Sequence, residues 1–511
     1  MPEYLRSLLV ILVLSTAFFA ISGPSASAII GRDHFRARRN LWFGLTIAAF
    51  LAHDFWVYTF IAILLLLYTK RRETNPSALF FFVLFAVPDG LVQIPGMGLI
   101  NFLFALSHAR ILELIILLPA FFALGRQSDT LSFGRTVPDK LLISYILLVV
   151  FLYLRQTSVT DTLRQALYQF LDVFLPYFVI SRSLKDLQSF KSSLLSLVLA
   201  IMLLAMFGVF EAVKYWLLYP SMIEGIGLQS AMTGYLGRDG ILRAIASSGN
   251  PIALGYLMAV GIGLYLFLQR SFHRKFLRRL GMLLLIAGLI APVSRGPWVG
   301  TVALFIIFIA TGRNPIKRLT FLALLATLTL PLIAMLPGGE RVINLLPFIG
   351  TTEKSNIDYR QDLLTNSIIV IQRNPWFGSV NYLETPEMQA MRNGNNMIDV
   401  VNSYIAITLQ DGFVGLGLFV GFFALVLIGV YRAMRSLPGK DSEEYLLGRA
   451  LLATLAAILV IIFTVSSITV IPIVYWSIAG VGVAYAQMVR KSEKDKFANQ
   501  DITRNFNTIN P

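Results

Sequence analysis

RSFHRKFLRRLGMLLLIAGLIAPVSRGPWVGTVALFIIFIATGRNPIKR, residues 270–318, decides the architecture. Arg270, Arg274, Lys275, Arg278 and Arg279 precede one apolar run, and Arg313, Lys317 and Arg318 follow a second. Clusters of Lys and Arg beside apolar spans stay on the cytoplasmic side of a membrane, so residues 280–312 must go out and come back. The turn Ser294-Arg295-Gly296-Pro297 then falls at the outer face, and Arg295 is extracytoplasmic or sits just inside the outer interface.

The same pattern extends over all 511 residues, of which 56% are hydrophobic and 14% charged. Soluble proteins run nearer ~45–50% and ~25%, and apolar runs of about 20 residues recur from end to end, so the chain reads as polytopic and membrane-embedded. The absence of cysteine excludes disulfides, a thiolate nucleophile and Cys-type zinc or iron–sulfur sites. A net charge of +15 could suggest nucleic acid, but the basic residues sit in short clusters between apolar spans, where orientation in the membrane explains them better. Arg6, the apolar stretch Leu8 to Ala20 and Ser25-Ala26-Ser27-Ala28 imitate a secretory signal peptide. Cleavage there would export the run Arg32, Arg36, Arg38 and Arg39, so the segment is read as a retained span.

Arg490 to Lys496 provide a third cytoplasmic anchor. Between the anchors, a span at 319–336 leads outward into the longest polar segment, 337–402, which carries Glu340, Glu353, Asp358, Asp362, Glu384, Glu387 and Asp399 against Arg341, Lys354, Arg360, Arg373 and Arg392. That slight acidity suits the outer side. The chain returns through 403–431, and the pair 448–466 and 469–487 brings the C-terminus inside. Upstream, 192–216 rises from Arg182, Lys185 and Lys191 to an outer loop at 217–249, which holds Arg238 and Arg243, and 250–269 descends. The apolar stretch 41–68 is interrupted by His53-Asp54, and a hairpin of two short helices keeps both Arg36–Arg39 and Lys70–Arg72 inside. The expectation is an all-α polytopic membrane protein of about 12–15 transmembrane helices, with about 14 the preferred count. It divides into an N-terminal transmembrane bundle, 1–191, a transmembrane catalytic core, 192–488, which includes the extracytoplasmic loop 337–402, and a cytoplasmic tail, 489–511, with 497–511 disordered.

There is no GxxxxGK[ST] phosphate loop and no βα alternation, which excludes an ATPase and a cytoplasmic nucleotide-sugar enzyme. The histidines, His34, His53, His108 and His273, are scattered without metal-ligand pairing, so neither a metal nor a cofactor is expected. Arginines instead stand beside glycine, proline and asparagine breaks in the outward segments: Arg243 through Gly249-Asn250-Pro251, Ser294-Arg295-Gly296-Pro297-Trp298, and Arg373-Asn374-Pro375-Trp376-Phe377-Gly378. A guanidinium grips phosphate oxygens with a planar fork, and a helix beginning after Ser294 or at Pro251 adds free N–H groups. Several forks at one depth describe a pyrophosphate cradle; taken singly, each arginine reads equally well as snorkelling to lipid headgroups. Tyr404, Thr408 and Asp411 form a polar stripe at helical spacing that can face a site. Gly412, Gly415, Gly417 and Gly421, like Gly255, Gly261 and Gly263, read as close helix contacts. Residues 358–372 form an amphipathic helix in the outer loop, either a lid or simple packing of that loop.

Over roughly 230–425 these pieces resemble the O-antigen ligase and polymerase superfamily of bacterial envelope proteins, whose polymerases are called Wzy-like. The matching pieces are Arg243 through Asn250-Pro251, Ser294-Arg295-Gly296 with Trp298, Tyr359-Arg360 through Asn374-Pro375 to Gly378, and Asn402-Ser403-Tyr404 through Gly412 and Gly415. The resemblance implies an inverting membrane glycosyltransferase of the bacterial inner membrane, acting on its outer side. It would transfer an oligosaccharide from undecaprenyl diphosphate to an acceptor hydroxyl without metal. Arg243 and Arg295 are then expected to hold the diphosphate, with Arg360 and Arg373 beside them. The ligases of the family place a general-base histidine directly before the position of Asn402. Here that residue is Val401, and 337–425 contains no histidine, which favours a polymerase of exopolysaccharide repeat units over a ligase. Asp399 is the nearest carboxylate and the first candidate base, with Glu211 and Asp411 as further candidates; Asn402 and Tyr404 are expected to line the acceptor site. The implied partners are the lipid-linked oligosaccharide, membrane lipid, a chain-length regulator and export proteins. A ligase acting on a lipid core or a protein is the second reading. A transporter or flippase is the non-enzyme reading, for which charged or broken helices at the midplane and a repeat across the halves are expected.

Overall fold

The structure, a computed structural model, describes residues 1–98, 101–229, 235–238, 240–335, 354–392 and 398–509. It is 76% helical with nearly no sheet. The first helices are α1 (Glu3–Ile30), α2 (Arg32–Leu51), α3 (Phe55–Lys70) and α4 (Pro76–Val83). A hairpin, β1 (Val92–Pro95) and β2 (Phe102–Leu106), leads to α5 (His108–Gly125), α6 (Val137–Gln156), α7 (159–183), α8 (Leu187–Lys214) and α9 (Pro220–Ile226). After a second hairpin, β3 (Gly237–Arg238) and β4 (Ile241–Leu242), come α10 (Pro251–Leu268), α11 (Lys275–Ile290), α12 (Arg295–Ala310) and α13 (Pro315–Met335). The remainder is α14 (Lys354–Arg373), α15 (Pro386–Gln389), α16 (Ser403–Ser436), α17 (Glu443–Thr464) and α18 (Ile471–Ile509).

The chain is an all-α multi-pass membrane protein, and eight helices among the described residues are long and apolar enough to cross a membrane on their own. The expected count of about 12–15 is larger because it includes helices such as α3, α11 and α12, of 16 residues each. Such a helix spans roughly 24 Å, short of a ~30 Å hydrocarbon layer. The hairpin expected within 41–68 is present: His53 turns into the left-handed region at φ 50°, and the Asp54 carboxylate caps α3 by accepting from the N–H groups of Trp56 and Val57. The polar tail does not end as disordered chain but continues α18 to Ile509, because no glycine or proline intervenes between Gly482 and Pro511 to stop the helix.

Helix α10 is the axis of the second half, packed against α8, α11, α12 and α17. Its glycines serve close contact as expected: a Cβ on Gly255 would lie 2.9 Å from Pro297, and one on Gly263 would lie 2.2 Å from the Thr454 hydroxyl. Packing also crosses residue 191, since α6 lies on α16 and the end of α7 lies on α18. The basic loops collect at one end of the bundle, where Lys191 pairs with Glu443 at 2.7 Å and Arg270 donates to the Asp441 carbonyl. The loops 237–249, 291–298, 398–403 and 464–467 meet at the other.

Candidate active site

The turn between α11 and α12 is strained. Val293, a β-branched residue, sits at φ 47°, a region that costs about 1–3 kcal/mol for such side chains. Its surroundings hold it there. The Trp298 indole N–H donates to the Leu289 carbonyl at 2.9 Å, the Arg238 guanidinium donates to the Val293 carbonyl at 2.8 Å, and Arg243 Nε donates to the Pro292 carbonyl at 3.2 Å. Below this layer Glu211, fully buried at the end of α8, accepts from the backbone N–H groups of Leu218, Ile245 and Ala246 at 3.0, 2.9 and 2.8 Å. One carboxylate thus ties both ends of the loop that carries Arg238 and Arg243 to α8.

Arg295 opens α12, to which Ser294 gives no side-chain cap. The starts of α10 and α16 differ. Asn250 caps the first by accepting from Ile252, and Asn402 caps the second by accepting from Tyr404 and Ile405. The N–H groups expected to be free at Pro251 are therefore partly occupied.

Opposite Arg295 lies the link between α17 and α18. Arg360, on α14, donates to the Thr464 carbonyl at 3.2 Å. Ser403 donates to the Val465 carbonyl at 2.9 Å and is 2.7 Å from the Ser467 hydroxyl, while Ser466 donates to the Asp399 carboxylate. Asp399 is fixed at its backbone too, since its N–H donates to the Tyr359 hydroxyl and that hydroxyl donates to its carbonyl, at 3.2 and 3.1 Å. Burial pushes Arg360 below its ordinary pKa; the Asp399 carboxylate pulls it back, and the guanidiniums of Arg238 and Arg295 push it down further. Arg238, Arg295 and Asp399 thus all act on the Arg360 guanidinium.

Of the residues singled out in the sequence, Arg295, Arg360 and Asp399 come together here, with Arg243 in the adjoining layer. Arg373 does not: it is paired with Glu387, at the far end of α14, about 20 Å along the helix from Arg360. Glu211 is consumed by its three backbone donors. Tyr404 donates to the Leu459 carbonyl at 3.0 Å, and Thr408 to the carbonyl one turn back. Asp411 is buried against the Tyr145 hydroxyl at 3.2 Å. The polar stripe of α16 therefore faces neighbouring helices, and Asn402 acts as a cap. Glu340, Arg341 and Glu353 of the outer loop, with the rest of 336–353 and 393–397, lie outside the described residues.

Two features escaped the sequence reading. Arg238 was legible only as a second outer-loop arginine, and Ser466 and Ser467 only as the junction of the spans read at 448–466 and 469–487. The motif Asn374 to Gly378 has a structural use. Helix α16 breaks at Gly412, at φ 68° and ψ −172°, and the 374–379 loop fills the break. The N–H groups of Phe413 and Val414 bond to Pro375 and Trp376, and Ser379 N–H bonds to Leu409. Gly412 is thus a hinge for this joint, not a helix–helix contact. Helix α14 buries Leu363, Ser367 and Val370, with the two apolar residues packed beside Met388, Met391 and Leu409, as the packing reading of that helix expects.

A multi-pass helical membrane protein with Arg238, Arg295 and Asp399 gathered near Arg360 at one end of its bundle is the class that these observations define. Residues 280–420 match the family model described as O-antigen ligase. The matched segment holds Arg295, Arg360, Asp399 and Asn402, and Arg238, Arg243 and Glu211 lie before it. The match supports a function of O-antigen ligase or polymerase type. No curated protein matches the chain.

Proposed function

We propose that the protein polymerises oligosaccharide repeat units carried on undecaprenyl diphosphate, at the outer face of the bacterial inner membrane, for a surface polysaccharide or exopolysaccharide. The observation that carries this reading is the meeting of the Arg360 helix, the Asp399 segment and the 464–467 link, where Arg360 donates to the Thr464 carbonyl and Ser466 to the Asp399 carboxylate, with Arg238 and Arg295 near enough to act on Arg360. Guanidiniums in a partly desolvated site, next to the uncapped start of α12, suit a diphosphate. The acceptor hydroxyl oxygen attacks the anomeric carbon from the face opposite the diphosphate, and a new glycosidic C–O bond forms with inversion. The anomeric C–O bond to diphosphate breaks, and its electron pair leaves with undecaprenyl diphosphate. The hydroxyl proton passes to the Asp399 carboxylate, which Ser466 and Tyr359 hold in place. Diphosphate is already a good leaving group, so the arginines supply the larger catalytic effect; one preorganised donor is worth about 10²–10³ in rate.

Polymerase is favoured over ligase because Val401 stands where a ligase carries its base and 337–425 contains no histidine. A chain-length regulator and export proteins are the partners this reading implies. The test uses membranes bearing single variants and purified lipid-linked repeat units. Arg295→Ala and Arg360→Ala should each lower the rate of long-chain formation ~10²-fold or more, with Lys rescuing partly since it lacks the fork. Parental rates in both alanine variants would favour the snorkelling reading. Transfer of preformed polymer to a lipid core, with no chain growth, would favour the ligase.

A further inference from the structure

At the opposite end of the bundle a cavity of about 740 Å³ opens between α2, the link from α3 to α4, α5 and the start of α8. Its rim is cationic. The ammonium of Lys70, the last residue of α3, makes no hydrogen bond or ion pair among the described residues, and Lys185 reaches the rim from its exposed pairing with Asp129 at 2.8 Å and Gln127 at 3.2 Å. The one carboxylate on the lining, Glu73, is already saturated. Arg38 binds it with two bonds of 2.8 and 2.9 Å, His34 Nδ1 lies 3.2 Å away, and the N–H groups of Thr74 and Asn75 donate to it. Lys70 therefore faces the cavity as an uncompensated charge, with Arg71 and Arg72 next to it in the chain.

The cavity wall has the opposite character. Helix α5 lays Ile116, Ala120, Ala123 and Leu124 along it, at the i, i+4, i+7 and i+8 positions of one face. Ile30 and Leu79 close the far side. Of these only Ala123 is exposed, with Ala120 and Leu124 nearly covered beside it, so a larger side chain at 123 would enter the cavity. A soluble anion would use the rim and leave this apolar wall without a partner.

We propose that this cavity binds an anionic phospholipid, with its phosphate at Lys70 and Lys185 and one acyl chain along the α5 stripe. The leaflet that faces clustered basic loops is the anionic one, and pockets of this composition between helices select its headgroups. The site is distinct from the arginine cluster and does not depend on the glycosyltransferase reading.

The test is native mass spectrometry of the full chain in detergent, titrated with phosphatidylglycerol or with phosphatidylcholine of the same chain length. The parent protein should retain phosphatidylglycerol preferentially. Lys70→Ala breaks no bond in the structure and should weaken retention about fivefold. Ala123→Phe enters the cavity and should weaken it at least as much, with thermal midpoints close to the parent in both; should one variant fail to fold, the other carries the test. Equal retention of the two lipids by the parent, or parental retention in a folded variant, overturns the proposal. Displacement of phosphatidylglycerol by millimolar inorganic phosphate, with Ala123→Phe binding the lipid unchanged, would show a soluble-anion site and also overturn it.

Discussion

Glu211→Gln takes one acceptor away from three buried backbone donors. Oε2 serves Ile245 and Ala246, and Oε1 serves Leu218. Glutamine can place its carbonyl where Oε2 was and keep two bonds, but its NH₂ then confronts the Leu218 N–H. One orphaned buried donor costs about 1–3 kcal/mol. Glu211→Ala orphans all three, roughly 3–9 kcal/mol on the same scale, which rivals the ~5–15 kcal/mol net stability of a typical domain. The helices are held by their own packing, so the loop should open before the bundle does. In membranes, trypsin should then cut Glu211→Ala after Arg238 or Arg243, with little polymer formed. Glu211→Gln should resist cleavage better and keep most of its activity. A glutamine variant that is uncut and thermally unchanged, yet inactive, would refute this reasoning and return Glu211 to the chemistry.

Asp399→Asn keeps size and hydrogen bonding but removes proton affinity, and should lose ~10²–10⁴ in polymerisation rate; a parental rate would make Asp399 a loop acid. Gly412→Ala would set a Cβ 2.3 Å from the Trp376 backbone at a φ of 68°, so the protein should fail to accumulate. Gly417→Ala, which meets nothing within 4 Å, should accumulate normally. A periplasm-only reporter should be active when fused within 354–390 and silent when fused after residue 495; the reverse pattern would reject the sidedness on which the active site rests.

The fold was legible wherever a physical rule acts on a short stretch of chain. The break at His53-Asp54 was visible because a polar pair cannot continue an apolar span, and Asp54 does cap the next helix. The glycines of α10 were legible because close packing is their ordinary use inside membranes. What failed was inference about ends and totals. Residues 497–509 look like a disordered tail by composition, yet they lack any residue that would stop a helix already running from Ile471.

The arginines divided along a different line. Side chains next to a Gly-Pro break could be ranked by sequence only as anion ligands or as lipid snorkellers, and both readings fitted Arg295 and Arg373 equally. The partners decide between them, and partners are set by tertiary contact. Arg373 has Glu387 to neutralise it. Arg360 is acted on by Arg238, Arg295 and the Asp399 carboxylate. Guanidiniums gathered in a partly desolvated place suit an anionic group. The strained Val293 turn and the three donors on Glu211 hold that arrangement together before any ligand arrives. A diphosphate leaving group would find its counter-charges already oriented, which is the condition under which a glycosyl transfer can dispense with a histidine base.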